Sequence, residues 1–404
     1  MNAFKRTVIG MAVATALSLG TAQAQVSDNL IKIGVLTDMS SLYTDLAGAG
    51  SVVAAKLAVE DSGIEKRGYK VEVISADHQN KPDVGSNVAR QWYDVDKVDV
   101  IVDTPNSGVA LAVSQITRDK GKAFLASGPG SSDLTGAKCS PNTVHWAYDT
   151  WMLANGTGTA ITKGGGDSWF FISADYAFGA ALERDTAAAV IKNGGKVIGG
   201  VKAPLNTQDF SSFLLQAQAS KAKIIGLANA GGDTTNSIKQ AAEFGIVKGG
   251  QKLAGLLVFL TDIHALGLQT AQGLTFTETF YWDQNDASRA FAKRFSALDK
   301  GIYPTMVHAG VYASVLHYLK AVEALKSDDG TKVVAKMKEM STDDPLFGKG
   351  TIRVDGRKIH PAYLVQVKTP AESKAPWDYY KIVATIPADQ AFRPLADGGC
   401  SLVK

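Results

Sequence analysis

The chain has 404 residues with 42 Lys and Arg, 39 Asp and Glu and a formal charge of +3. Two of the basic residues are Lys5 and Arg6, so beyond residue 24 the 42 fall to 40 against 39, and a general affinity for nucleic acid is not indicated. About 380 residues exceed the size at which one hydrophobic core usually stops growing, which makes two lobes the default, and 40 Gly with 12 Pro in no repeat period argue for tight turns and against low complexity.

Residues 1–24 read as a cleavable export signal: Lys5 and Arg6, then an apolar run from Thr7 to Leu19, then Ala22-Gln23-Ala24. That run is shorter than the roughly 20 residues needed to span a bilayer, so a signal is favoured over an anchor and periplasmic residence is expected. From Ile31 short β-rich runs alternate with amphipathic stretches, the pattern of βαβ units and mainly parallel sheets. Strands are expected at Ile31–Leu36, Val71–Ala76, Val98–Asp103 and Lys122–Ala126, with helices at Gly48–Asp61, Asp83–Tyr93 and Ser107–Lys120 between them.

A second series begins with a helix from Trp151 to Thr162. Strands follow at Trp169–Ser173, Lys196–Val201, Ile224–Asn229 and Leu256–Leu260, with helices at Gly179–Lys192, Phe210–Ser220 and Asp233–Phe244. Then come a strand at Leu274–Tyr281 and helices at Ala287–Leu298 and Met306–Leu325. Gly350–Val354, Tyr363–Val367 and Tyr379–Thr385 read as antiparallel strands joined by Gly and Pro turns. No long linker divides the two series, a setting for a cleft between lobes.

Catalytic signatures are not found. There is no GxSxG elbow, Walker loop or GxGxxG following a strand, and the six histidines show no HxH or HxxxH spacing. Asp103, alone at a strand end, is weak evidence for a general base. No enzyme, cofactor or metal site is therefore expected. Cys139 and Cys400 are the two cysteines; in an oxidising compartment a disulfide is the favoured reading, two free thiols the alternative.

Polar capture remains. In open α/β sheets ligands sit at the carboxyl ends of strands, where helix N-termini offer unpaired N–H groups. Pro105-Asn106-Ser107 and Ser127-Gly128-Pro129-Gly130-Ser131 each follow a strand and suit a carboxylate, although such residues also serve as ordinary caps and turns. In the second series Asp175-Tyr176-Ala177-Phe178-Gly179 brings aromatic rings to a sheet edge, and Asn229-Ala230-Gly231-Gly232-Asp233 brings a carboxylate to a helix start. Asp233 is either an N-cap or an acceptor for a ligand ammonium or hydroxyl.

Taken in order, Ile33-Gly34-Val35-Leu36 with its Ser-rich loop, Pro105-Asn106-Ser107, Ser127-Gly128, Asp175 to Gly179 and Gly231-Gly232-Asp233 resemble the leucine/isoleucine/valine-binding protein family. These are type I periplasmic solute-binding proteins of ABC importers. The resemblance implies two Rossmann-like lobes, 25–146 with 282–346 and 147–281 with 347–404, joined by three crossovers near His145–Asp149, Thr277–Trp282 and Asp344–Thr351. It implies a monomer that captures a small carboxylate-bearing solute, an amino acid or amino-acid-like compound, and hands it to membrane permease subunits, with an exported ligand-sensing domain of the same fold as the alternative. Asn106, Ser107, Ser127 and Gly128 would hold the carboxylate and Asp233 an ammonium, with Tyr43, Asp149, Tyr176 and Phe178 completing the site. Phe178 stands where many members have tyrosine, which together with Trp146, Tyr148 and Trp151 keeps aromatic and other organic acids open as ligands.

Overall fold

Apolar, largely β-branched runs closed by polar turns build two parallel sheets. The computed structural model describes residues 26–404, so the export-signal reading lies outside the described residues. The first sheet holds β1 (Ile31–Thr37), β2 (Val71–Asp77), β3 (Val100–Asp103), β4 (Ala123–Ala126) and β5 (Thr143–His145) in the order β2-β1-β3-β4-β5. Its register pairs Leu36 with Asp103, Asp103 with Ala126 and Ala126 with His145. The central strands therefore end level, and the turns after them emerge side by side.

Helices Gly48–Ser62, Pro82–Asp94 and Ser107–Asp119 connect these strands. The last begins at Asn106, whose side chain accepts from the N–H groups of Gly108 and Val109. Strand β5 is a fifth parallel strand that the repeat pattern does not show, because three residues carry no periodicity.

The second sheet holds β6 (Ser168–Ala174), β7 (Lys196–Ala203), β8 (Ile224–Ala228) and β9 (Lys252–Gly255), in the order β7-β6-β8-β9 and all parallel. Here the sequence expectation needs correcting: the fourth strand is Lys252–Gly255, and Leu256–Leu260 is a loop running into a helix at Leu260–Leu266. A continuous apolar run reads as a buried strand, but these residues are buried beneath the inter-sheet cleft, and Asp262 ends any extension by accepting from the Phe259 N–H at 2.9 Å.

After β10 (Thr275–Glu278) the chain returns to the first sheet as helices Asp286–Leu298, Met306–Leu325 and Gly330–Glu339. The middle one is buried along most of its length and packs on Gly48–Ser62, where Gly50 admits the His308 ring; a Cβ there would lie 2.5 Å from His308 Nε2. The chain ends in antiparallel pieces: β11 (Thr342–Asp344), β12 (Gly348–Ile352) and β13 (Lys358–Ile359) in one sheet, and β14 (Ala362–Val367) and β15 (Tyr380–Ile386) with β10 in another. Cys139 and Cys400 are bonded, with Cα atoms 5.6 Å apart, which fastens the tail to the loop after β4. This is an α/β fold with mainly parallel sheets.

Candidate functional site

The carboxyl edges of the two parallel sheets face each other. After β1, the Asp38 carboxylate accepts from the N–H groups of Ser41 at 3.0 Å and Tyr43 at 2.8 Å, a tight turn that carries Tyr43 over the sheet edge. From the opposite side Tyr176 leads into helix Ala177–Lys192, and the two phenol oxygens meet at 2.5 Å. Around this contact Tyr43, Leu46, Pro105, Gly130, Tyr148, Tyr176, Phe178, Ala230, Leu257 and Phe259 line a cavity of about 10 Å³, room for about one water. Tyr148 meets Phe259 edge-on with ring centres 6.0 Å apart, and Tyr176 lies 6.1 Å from Phe178. The lining is thus aromatic and aliphatic, with phenol hydroxyls as its polar side-chain groups.

Outside this contact the cleft widens into recesses of about 460 and 360 Å³, floored by Ser40–Leu42, Asn206 and, in the larger, Gly231 and Gly232. A larger cavity of about 680 Å³ lies at the other end of the second sheet, among Gly164–Gly166, Ile224, Lys252 and Gln272. It is remote from every polar strand-end turn and is not the site.

Three expected residues, Tyr43, Tyr176 and Phe178, are brought together in the cavity wall. The others stand outside it, and all but Asp233 have their side-chain or carbonyl groups already engaged. Asn106 caps its helix; Ser107 Oγ accepts from the Ser131 N–H at 3.1 Å; Ser127 Oγ lies 3.4 Å from Ser314 Oγ; and the Gly128 carbonyl accepts from the Tyr148 hydroxyl. Asp149 differs most from expectation: its carboxylate caps helix Thr150–Leu153 through the Met152 N–H at 2.8 Å and faces Arg357 at 3.6 Å, away from the cavity. From the same turns it is Pro105 and Gly130 that reach the wall.

Asp233 is buried in the first turn of helix Gly232–Glu243, whose N-cap is Gly231 at φ 56°. Asp233 Oδ2 accepts from the Asn206 N–H at 3.1 Å, and Oδ1 has no hydrogen-bond partner. Burial pushes its carboxyl up to about 7, against the lowering effect of backbone N–H groups at Asn206 and Thr207. Burial likewise holds the Tyr43 and Tyr148 phenols well above 10, so both are neutral hydroxyl donors.

Sequence reasoning does not place Leu46, Tyr148, Leu257 or Phe259 in the site. Tyr148 is visible as an aromatic residue near a crossover; Leu257 and Phe259 are concealed in the apolar run that reads as a strand. Arg357, fully buried, is a further residue without a sequence signal. Its guanidinium donates to the carbonyls of Tyr148 and Trp146 at 2.9 Å each and Lys358 at 3.1 Å, fixing the backbone from which the Tyr148 ring projects. Among the described residues no group of three or more His, Cys, Asp or Glu is placed to hold a metal ion, and no helix is long and apolar enough to cross a membrane.

Two parallel sheets thus present their strand ends to one small aromatic-lined chamber. The chain belongs to the periplasmic binding protein family, whose match spans residues 30–374. A periplasmic binding protein from Burkholderia mallei is 52% identical, with a TM-score of 0.90 over 93% of this chain and 100% of that one. A branched chain amino acid ABC transporter periplasmic ligand-binding protein from Burkholderia xenovorans LB400 is 41% identical, with a TM-score of 0.82 over 93% and 100%. A solute binding protein of an R. palustris ABC transporter, in complex with benzoate, shares the fold at 22% identity and a TM-score of 0.80 over 92% and 99%. Leu/Ile/Val-binding protein homolog 6 of Brucella melitensis is 22% identical over 364 residues, 88% of this chain and 92% of that protein.

Proposed function

We propose that this protein is the exported substrate-binding component of an ABC importer and that its solute is a small aromatic carboxylate. The carrying observation is the chamber wall of Tyr43, Tyr148, Tyr176, Phe178 and Phe259, which offers flat apolar surface and hydroxyl donors and no cation or carboxylate. A ring between such side chains gains roughly 25 cal/mol per Å² of buried apolar surface and about 0.5–1.5 kcal/mol for each well-placed aromatic neighbour. The solute carboxylate then lies toward the turns at Pro105 and Gly130. Relatives of the same fold hold benzoate and 4-hydroxybenzoate, which agrees with this reading.

In this reading one lobe is built around each parallel sheet, the boundary expected at 346/347 moving past Ile359 because β11, β12 and β13 form one sheet, and the cleft between the lobes opens to admit solute. A chamber of about 10 Å³ is far below the several hundred Å³ of an ordinary ligand pocket, so binding requires separation of the Tyr43 and Tyr176 walls followed by reclosure. The closed, loaded monomer delivers the solute to permease subunits at the membrane. A branched-chain or related amino acid is the second reading, favoured by the unpartnered Asp233 Oδ1 as an ammonium acceptor. It is the weaker one because Asp233 stands outside the chamber wall and Phe178 supplies no hydroxyl.

Thermal-shift and calorimetric titration with benzoate, 4-hydroxybenzoate, leucine and phenylalanine tests this, because a ligand of the native state raises apparent stability. Saturable binding of a benzoate at micromolar or better affinity is the expected result. Binding of leucine with no response to either benzoate would refute the aromatic assignment.

A further inference from the structure

Behind the first-sheet wall of the chamber lies a second polar group that the binding role leaves unused. Asp103 closes β3 with both carboxylate oxygens buried and without a hydrogen-bond partner. It presses on the turn that follows β4: a Cβ built on Gly128 would lie 2.5 Å from Asp103 Oδ1 and 2.8 Å from Pro105 Cα. Gly128 accepts the Tyr148 hydroxyl through its carbonyl, and Pro105 itself lines the chamber. The backbone here is held in an uncommon state, with φ 77° at Asp103 and 62° at Thr104, a left-handed pair that includes a β-branched residue. The buried hydroxyls of Thr37, Ser51 and Thr104 are also without partners in hydrogen-bonding geometry.

We propose that Asp103 is a proton-bearing positioning residue: it holds the Pro105 and Gly128 turns in place as a neutral carboxylic acid, and capture of an anionic solute is linked to proton uptake at its side chain. The proposal rests on the aromatic-carboxylate reading above. Even with the Ser51 and Thr37 hydroxyls beside it, an ionised carboxylate buried behind the wall proposed to receive another carboxylate would add like-charge repulsion to its own desolvation cost. A protonated one avoids both costs.

The groups facing Asp103 are the Thr37 hydroxyl and the Asp38 carboxylate from β1 and its turn, the Ser51 hydroxyl from helix Gly48–Ser62, Gly128 from the turn after β4, and the Tyr148 phenol. Burial, opposed by Ser51 and Thr37 and reinforced by Asp38, pushes its carboxyl up to about 7. A bound anion raises it further, so by reciprocity the anion binds the protonated form better. Asp233, in the first turn of helix Gly232–Glu243, is raised similarly and is separated in the test by its own variant.

Calorimetric titration of the full mature chain with benzoate at pH 6.0, 7.0 and 8.5, in buffers of differing ionisation enthalpy, reads affinity and protons taken up per ligand. The wild type is expected to take up a substantial fraction of one proton at pH 8.5 and to weaken about three- to tenfold between pH 7.0 and 8.5. Asp103→Asn is expected to bind within about threefold of wild type at pH 6.0 and to lose that share of the uptake and slope, whereas Asp233→Asn retains it. The wild-type proton count stands even if Asp103→Asn fails to fold. Benzoate binding with no proton uptake in the wild type, or with full uptake in Asp103→Asn, overturns the assignment alone. Failure of benzoate to bind at any pH overturns the functional reading, and this inference with it.

Discussion

Replacing Arg357 with methionine should destabilise the protein more than any surface charge change. The side chain is fully buried, donates three hydrogen bonds to main-chain carbonyls of Trp146, Tyr148 and Lys358, faces Asp149 at 3.6 Å and lies 4.2 Å over the Phe392 ring. Burial lowers its ionisation to about 10, so it remains a cation near neutral pH. Methionine keeps much of the volume but strands the Asp149 carboxylate and the carbonyls in a dry site. Removing one partner of a buried pair costs about 3–5 kcal/mol, and each unpaired buried acceptor about 1–3 kcal/mol before water or relaxation offsets it. A loss of about 3–5 kcal/mol, against a typical total of about 5–15 kcal/mol, is the expected outcome in urea unfolding. Asp149→Asn keeps the cap and should cost less, and the double variant should be less than additive because both act on one interaction. A loss below about 1 kcal/mol for Arg357→Met would refute the view that this guanidinium secures the segment bearing Tyr148.

Three further outcomes follow from the same geometry. Tyr43→Phe and Tyr176→Phe each remove half of the 2.5 Å hydroxyl pair across the cleft and should weaken solute binding by about 1–2 kcal/mol, with the double variant little worse than either single one by calorimetry; additive losses would show that the hydroxyls act separately. Cys400→Ser releases a bond that closes a 261-residue separation and should lower stability by about 3–5 kcal/mol in denaturant unfolding, while an unchanged midpoint would show that the tail is held by packing alone. Stability against pH should stay roughly level from about pH 4 to 6.5, where two opposed sets of buried groups offset each other, and fall through about pH 7. The raised carboxyls of Asp103, Asp233 and Asp262, each pushed up to about 7 chiefly by burial, contribute stability that is complete below their unfolded value of about 4 and lost as pH rises through about 7. The buried His78, His308 and His317, lowered to about 4 by burial, add stability as pH rises from about 4 to 6.5. A melting midpoint that climbs steadily from pH 6.5 to 8 would contradict these burial effects.

Local periodicity determined most of the helices and strands, though not helices Leu260–Leu266 and Gly330–Glu339. Helix Met306–Leu325 and strands β1, β2, β6, β14 and β15 lie within two residues of their expected bounds, because the spacing of apolar residues is a local property. The turns at Pro105-Asn106-Ser107, Ser127-Gly128 and Asp175-Tyr176 were also legible as strand-end loops, since a βαβ pattern sends every such loop to one edge. What each polar group does there was not legible. Asn, Ser and Asp suit capping and ligand binding equally well in sequence, and the tertiary structure engages Asn106, Ser107 and Asp149 in caps and turn bonds while giving the chamber wall to Tyr148, Leu257 and Phe259. The run Leu256–Leu260 misled for a related reason: apolar composition reports burial, but not whether a sheet ladder or a cleft does the burying. The contacts of Arg357 with Trp146 and Tyr148 join residues more than 200 positions apart, and those of Asp103 with Gly128 depend on how two strands end in register. Such groups acquire their chemistry from neighbours that only the folded chain supplies.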